Sequence, residues 1–355
     1  MNVGILSMQK VMNYGSFLQG FALKTTLEGL GHHCEFMDIE QGKIFPELKR
    51  TLSFLLEKVW ERYCKWDVLT RLRYTRMFQT RFRNEFFEEL GVNRHTLKHF
   101  DAVVIGSDEV FNFAQRVPWG YTPQLYGRIS DVSKVISYAG SFGHTTLEDI
   151  YHFGVRDEIA SVLLSMAAIS VRDVNSFNIV KELTGKNAHV DIDPVLLFNY
   201  DSYIKPISQK DYIVVYSYPN RIKKKEEIAA IKNFAEKHNK KLLSIGFYFP
   251  WCDETVIPHP FEVLGYIKGA DFVITDTFHG SVMSLKFNRP FVSLVRDSNK
   301  QKMNSLLSQF GLQNQIVDNI TSLEDKILQR IDYDLVNRYL NNAQIESLNY
   351  LKSNL

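Results

Sequence analysis

Cysteine is scarce in this 355-residue chain, and Cys34, Cys64 and Cys252 lie far apart with no CxxC pair among them. Three scattered thiols argue against a disulfide framework or a structural zinc site, and a reducing, cytoplasmic setting is expected. Long apolar runs are lacking too. None approaches the roughly 18 residues of a membrane-spanning helix. The opening MNVGILSM has neither the basic region nor the small-residue cleavage site of a secretory signal. Neither sign of charge is in excess: 42 Lys and Arg stand against 40 Asp and Glu, for a formal net charge of +2. That balance predicts neither nucleic-acid binding nor a disordered acidic tail. There is no GxGxxG and no Walker loop, so nothing at the level of motifs supports NAD, or ATP bound in the usual way. His32, His33 and His259 show no spacing that resembles a zinc or iron site, and no metal is expected.

What the chain has in quantity is short apolar runs. With 45% hydrophobic residues it can bury a substantial core, and it is long enough for two domains. VGILS (3–7) reads as a buried strand. NYGSFLQGFALKTTLEGLG then gives a loop and a helix, with Phe17, Leu18, Phe21, Ala22 and Leu27 at apolar positions and Gly29 and Gly31 as the stop. HCEFMDI (33–39) completes a βαβ unit, and AVVI (102–105), KVISYAG (134–140), AAISV (167–171) and NAHVDI (187–192) follow. After an irregular linker, NYDSYIKPISQKD, the rhythm restarts with YIVVYS (212–217), KLLSIG (241–246), DFVIT (271–275) and PFVSLV (290–295). Helical stretches separate most of these runs, which predicts an α/β fold of two Rossmann-like domains with parallel sheets and a cleft between them. The expected domains are residues 1–200 and 201–330, with a helix at 331–355 packing back on the first. Residues 46–92 carry no strand signal and are expected to be a helical insertion in the first domain. Between Lys49 and Glu85, Lys and Arg outnumber Asp and Glu by ten to four. The favoured reading is a helical pair with a solvated outer face; the other is a surface for anionic lipid or glycan carriers, a peripheral membrane contact.

In an open parallel sheet, ligands collect beyond the carboxyl ends of the strands. The residues there are unusually polar. Asn13, Tyr14, Gly15 and Ser16 follow the first strand, Gly106, Ser107 and Asp108 follow AVVI, and Ser141, Phe142 and Gly143 follow SYAG. Arg172 and Asp173 follow AAISV; Asp276, Thr277, His279, Gly280 and Ser281 come after DFVIT. Taken singly, Ser107 with Asp108 reads equally well as a helix cap and Gly15 as a turn. Arg172 ends a strand in an apolar stretch and needs an anion or a carboxylate to offset its desolvation. A ligand anion is favoured over a structural pair with Asp173. His279 opens a predicted helix, a place where anions bind. A lone histidine there is more often structural, and it is the polar company of His279 that makes it a candidate.

Together NYGSFLQGFAL, VVIGSDEVFN, SYAGSFG, AISVRD, DIDPVLLF and ITDTFHGSVMSL resemble, in order and separation, the polysaccharide pyruvyl transferase family, from about residue 13 to 295 and into NKQKMNSLLSQFGL (299–312). The resemblance implies a fold similar to that of the two-domain GT-B glycosyltransferases. It also implies transfer of a pyruvyl group from phosphoenolpyruvate, a co-substrate and not a resident cofactor, to two hydroxyls of one sugar. The acceptor would be a cell-surface glycan or its lipid-linked precursor, and the products a cyclic ketal and phosphate. On this basis Arg172 binds the donor's carboxylate or phosphate, His279 serves as acid and base at the transferred carbon, and Gly280 and Ser281 present N–H groups to the phosphate. Many relatives have Arg-Leu-His-Gly where this chain has Thr277-Phe278-His279-Gly280, so a second arginine is missing. Either Arg289, Arg296 or Lys302 substitutes, or the donor is bound differently. Two other functions compete: a GT-B-like glycosyltransferase with His279 near the diphosphate of a sugar nucleotide, and a silent scaffold in polysaccharide assembly.

Overall fold

The computed structural model describes residues 1–46, 67–115, 117–219, 221–296 and 299–355. Much of the basic insertion, residues 47–66, lies outside the described residues. Those described fall into two compact units: one within Met1–Arg50, Phe87–Phe198 and Tyr339–Leu355, the other within Thr51–Phe86 and Asn199–Arg338.

The first unit is built on six parallel strands, β1 (Asn2–Leu6), β2 (His33–Phe36), β3 (Ala102–Asp108), β4 (Lys134–Gly140), β5 (Ser170–Val171) and β6 (His189–Val190), in the order β2-β1-β3-β4-β5-β6. The apolar run AVVI pairs with β1 on one side and β4 on the other and is wholly buried, as a strand covered on both faces must be. Helix α1 (Tyr14–Gly29) crosses from β1 to β2; Asn13 caps it, and Gly31, at φ 90°, turns the chain out of it. Phe142 packs against Phe111 (5.2 Å between ring centroids) and Tyr126 (6.0 Å), contacts that add about 0.5–1.5 kcal/mol per pair to simple burial.

The second unit repeats the plan with β7 (Tyr212–Tyr216), β8 (Lys241–Ile245), β9 (Glu254–Val256), β10 (Phe272–Thr275), β11 (Phe291–Leu294) and β12 (Ile316–Val317), all parallel and ordered β12-β11-β10-β7-β8-β9. The two edge strands, β9 and β12, are additions to the sequence reading. At three and two residues they are too short to show a period. Helix α2 (Val68–Arg81) comes from the insertion, which interrupts the chain between β2 and β3, yet its contacts are with the second unit. Tyr74 stacks on Tyr248 (5.4 Å), Phe78 meets Phe247 (4.8 Å), and Arg81 donates to the Ile257 carbonyl (2.5 Å).

The last helix, Tyr333–Asn354, belongs to the first unit from Tyr339 onward. There Tyr350 donates through its hydroxyl to the Ser137 carbonyl (2.9 Å) and stacks on His189 (5.0 Å), while Ser347 Oγ accepts from Ile192 N–H (3.3 Å).

Each sheet reverses its direction of growth once, between β1 and β3 in the first unit and between β7 and β10 in the second. Ligands of open parallel sheets bind at the carboxyl ends of the strands at that point.

Candidate functional site

At the reversal in the first unit, Asp108 accepts from Ser16 Oγ (2.9 Å) and from Arg172 Nη2 (3.0 Å). Arg172 Nη1 donates to Asp193 Oδ2 (2.8 Å), and the arginine side chain is only 2% exposed. Burial works against its charge, but Asp108 and Asp193, with smaller contributions from Glu109 and Asp173, outweigh burial and hold the guanidinium pKa above its usual value. The carboxylate partners of Arg172 are thus Asp108 and Asp193 rather than Asp173. A guanidinium so far from solvent is stable only against fixed carboxylates, and these two are supplied by the protein.

Asp173 instead caps the helix Val174–Thr184 through Ser176 N–H and Oγ (both 2.8 Å), and its other oxygen accepts from Ser141 Oγ (2.5 Å). Asn13 accepts from Gly15 N–H (2.8 Å), Tyr14 is buried, and Ser107 Oγ accepts from Asp108 N–H (2.6 Å). At Gly106 a Cβ would stand 2.0 Å from the Tyr138 carbonyl oxygen, so only glycine fits beside β4. Phe142 is fully buried in the aromatic core, and its N–H donates to Ser176 Oγ (2.8 Å). The structure brings these sequence-selected residues of the first unit to one edge of the sheet and uses most of their polar groups to shape its loops.

At the reversal in the second unit, Thr275 Oγ1 donates to the Tyr216 carbonyl (2.6 Å), tying β10 to β7, and accepts from Thr277 N–H (3.0 Å). Thr277 then caps the helix Phe278–Lys286, its Oγ1 accepting from Gly280 N–H (3.0 Å). Ser281 N–H reaches the Thr277 carbonyl (3.3 Å), and its hydroxyl pairs with that of Ser293 (2.7 Å). These two N–H groups, which the sequence reading offers to a phosphate, are taken up by the start of the helix. Gly280 is needed because a Cβ there would lie 2.2 Å from Thr275 Oγ1. His279 is 6% exposed.

Asp276 lies one residue before the cap and is fully buried. Desolvation raises its pKa above the usual carboxylate range, against the opposing pull of Arg221, Ser217, Arg296 and the Tyr218 N–H. Arg296 Nε is 3.9 Å from Asp276 Oδ2, and the same guanidinium grips Glu227 with two bonds (2.5 and 3.2 Å). Arg221 Nη1 donates to the Asp276 carbonyl (3.2 Å) and stands 4.6 Å over the Tyr218 ring, while Asn299 Nδ2 donates to that carbonyl as well (2.6 Å).

Of the cations considered as substitutes at 277, Arg289 precedes β11 and donates to the Phe287 (3.2 Å) and Ala270 (3.5 Å) carbonyls, at the end of the strand away from the site. Arg296 follows the carboxyl end of β11 and reaches Asp276; Lys302 lies in the helix Lys300–Gln309. Arg221 escaped the sequence reading. Its signal was position: it follows β7, the strand that pairs with β10.

The two edges differ in charge. The first sets Asp108, Glu109, Asp173 and Asp193 around one arginine, which disfavours an anion. The second sets two arginines, Arg221 and Arg296, beside Glu227 and the buried Asp276, a balance of charge that tolerates an anion better than the first. Among the described residues, no group of three or more His, Cys, Asp or Glu could hold a metal ion, and no helix is long and apolar enough to cross a membrane.

A family model described as polysaccharide pyruvyl transferase matches residues 13–298. Several solved structures are similar in fold. The S. aureus MnaA–UDP co-structure aligns over 99% of this chain and 95% of its own, with a TM-score of 0.52 and 11% identity. Arabidopsis thaliana UGT89C1 complexed with quercetin aligns over 99% and 98%, with a TM-score of 0.51 and 10% identity. The glycotransferase of kitacinnamycin aligns over 100% and 98%, with a TM-score of 0.51 and 11% identity. At such identities the likeness concerns the fold alone, the GT-B type with two parallel six-stranded sheets. A comparison with curated proteins finds no match.

Proposed function

Because the chain belongs to the polysaccharide pyruvyl transferase family, we propose that it moves the pyruvyl group of phosphoenolpyruvate onto two hydroxyls of one sugar in a cell-surface glycan or its lipid-linked precursor. The observation that carries the anionic donor is the gathering of Arg221 and Arg296 around Asp276, three residues before His279, at the sheet reversal of the second unit. Phosphoenolpyruvate places a carboxylate and a phosphate close together, and paired guanidinium groups complement such a dianion.

In this reading His279 gives a proton to the methylene carbon as the first sugar hydroxyl attacks the adjacent carbon, and the double-bond electrons form the new C–H bond. The proton of that hydroxyl restores His279. Phosphate departs with the electrons of its C–O bond, the second hydroxyl closes the ketal, and its proton leaves with the phosphate. Glu227, which grips Arg296 with two bonds, holds that guanidinium beside the phosphate, with Asp276 buried next to it. Arg172 braces Asp108 and Asp193 in the first unit, and the donor-binding role that sequence suggests for it passes to Arg221 and Arg296.

Lipid-linked acceptors would bring the protein to the cytoplasmic face of a membrane. Helix α2 exposes Leu69, Leu72 and Met77 beside Arg73 and Arg76, a face suited to anionic lipid at about 1 kcal/mol per basic residue near the surface. Flotation with anionic liposomes should carry the protein upward, and Leu69→Glu with Arg76→Glu should abolish it.

Calorimetry with phosphoenolpyruvate tests the donor. Wild type should bind, Arg296→Gln should bind at least tenfold more weakly, and His279→Gln should bind while turnover drops about 10²–10⁴-fold. Binding of a uridine or guanosine sugar nucleotide, with none of phosphoenolpyruvate, would replace pyruvyl transfer by glycosyl transfer.

A further inference from the structure

Asn112 and His144 are 32 residues apart in sequence and meet at the carboxyl edge of the first sheet, where neither stands out as a motif. Thr145 Oγ1 accepts from Ala114 N–H (3.3 Å), so its own proton goes to Asn112 Oδ1 (2.8 Å). That bond fixes the orientation of the amide. The two protons of Asn112 Nδ2 then point to Glu109 Oε2 (2.6 Å) and to His144 Nδ1 (3.1 Å). A donor aimed at Nδ1 requires a lone pair there, so the ring proton of neutral His144 sits on Nε2.

The surrounding backbone is shaped to permit this arrangement. Gly143 has φ 57°, and a Cβ on it would stand 2.3 Å from Asn112 Nδ2 and 2.6 Å from Glu109 Oε2. Asn175 Nδ2 reaches the carbonyls of Gly143 (3.5 Å) and Thr145 (3.1 Å) and holds the loop from the next helix. Asn112 and Thr145 are buried, Glu109 is half-buried, and His144 is exposed.

We propose that Glu109, Asn112 and His144 form a sugar-binding subsite, in which Asn112 holds His144 as a fixed Nε2–H donor to one hydroxyl and Glu109 accepts from a neighbouring one. Charge selects the ligand class. Four carboxylates around one arginine repel an anionic donor, whereas a neutral polyol supplies hydroxyls that both donate and accept. Calling this sugar the acceptor rests on the proposed function; the tautomer and the binding of a glycoside do not.

The experiment uses the full chain and four probes, the methyl glycosides of galactose, mannose, glucose and N-acetylglucosamine, in saturation-transfer NMR. Nitrogen-15 spectra of the histidine rings are recorded alongside. At least one glycoside should bind wild type, lose its signal in His144→Ala, and keep part of it in His144→Gln, which retains a side-chain N–H donor. Asn112→Asp should reverse the tautomer, because a carboxylate draws the ring proton to Nδ1. A wild-type ring protonated on Nδ1, no glycoside bound to wild type at millimolar concentration, or equal signals in wild type and His144→Ala would each overturn the proposal. Failure of phosphoenolpyruvate to bind wild type in calorimetry would count against the donor reading and leave this subsite standing.

Discussion

Replacing Arg172 by methionine separates its two possible roles. The substitution keeps much of the side-chain volume but leaves Asp108 and Asp193 facing each other without their shared cation; Asp193 is 0% exposed. Removing one partner of a buried ion pair costs about 3–5 kcal/mol, since the charge left behind has no compensation. For a unit of this size, each kcal/mol moves the melting temperature by roughly 2–4 °C, so the transition of the first unit should fall by about 6–20 °C in scanning calorimetry. The double variant Arg172→Met/Asp193→Asn should recover part of the loss, because the two changes act on one network and are not additive. Melting within about 1 °C of wild type would refute the reasoning. If phosphoenolpyruvate binding vanished at the same time, Arg172 would be a ligand residue after all.

Three further outcomes are expected. Since burial raises the Asp276 pKa, the folded protein keeps that proton to higher pH than the unfolded chain does, and stability should fall as pH climbs from the ordinary value of 3.8 through the raised one. Asp276→Asn should flatten that limb in chemical denaturation; an unchanged slope would mean the carboxyl is not perturbed. Gly280→Ala should cost about 1–3 kcal/mol, because the new methyl collides with the Thr275 hydroxyl that ties β10 to β7, and urea midpoints would show it. Tyr350→Phe removes the hydroxyl bond to Ser137 but leaves the stack on His189. It should cost about 0.5–1.5 kcal/mol and speed amide exchange in the last helix, with no effect on exchange in β10.

Sequence was most informative where burial acts on contiguous residues. AVVI and YIVVYS are recognisable as strands because each is enclosed on both faces, and with the helices between them they give the parallel α/β plan directly. It was least informative where the determining partner is distant. Arg172 needed an acid, but nothing local indicated that the acids would be Asp108, 64 positions away, and Asp193 rather than the adjacent Asp173. Asp173 was unavailable because helix capping claimed it. The same competition consumed the Gly280 and Ser281 N–H groups, which the family resemblance assigned to a phosphate. Arg221 was hidden for a different reason: its relevance depends on β7 pairing with β10, a property of strand order.

The helix Tyr333–Asn354 also bears on biosynthesis. Its turns from Tyr339 onward close over β4 and β6 of the first unit, yet they are translated after every strand of the second. On a ribosome adding roughly 5–20 residues per second, the sheet begun first must therefore wait with an uncovered flank for many seconds, while the sheet begun later already has all its strands. A nascent chain arrested before Tyr339 should bind chaperones through the strands around Ser137 and His189, and emergence of this helix rather than of the sheet would mark when the first unit becomes native.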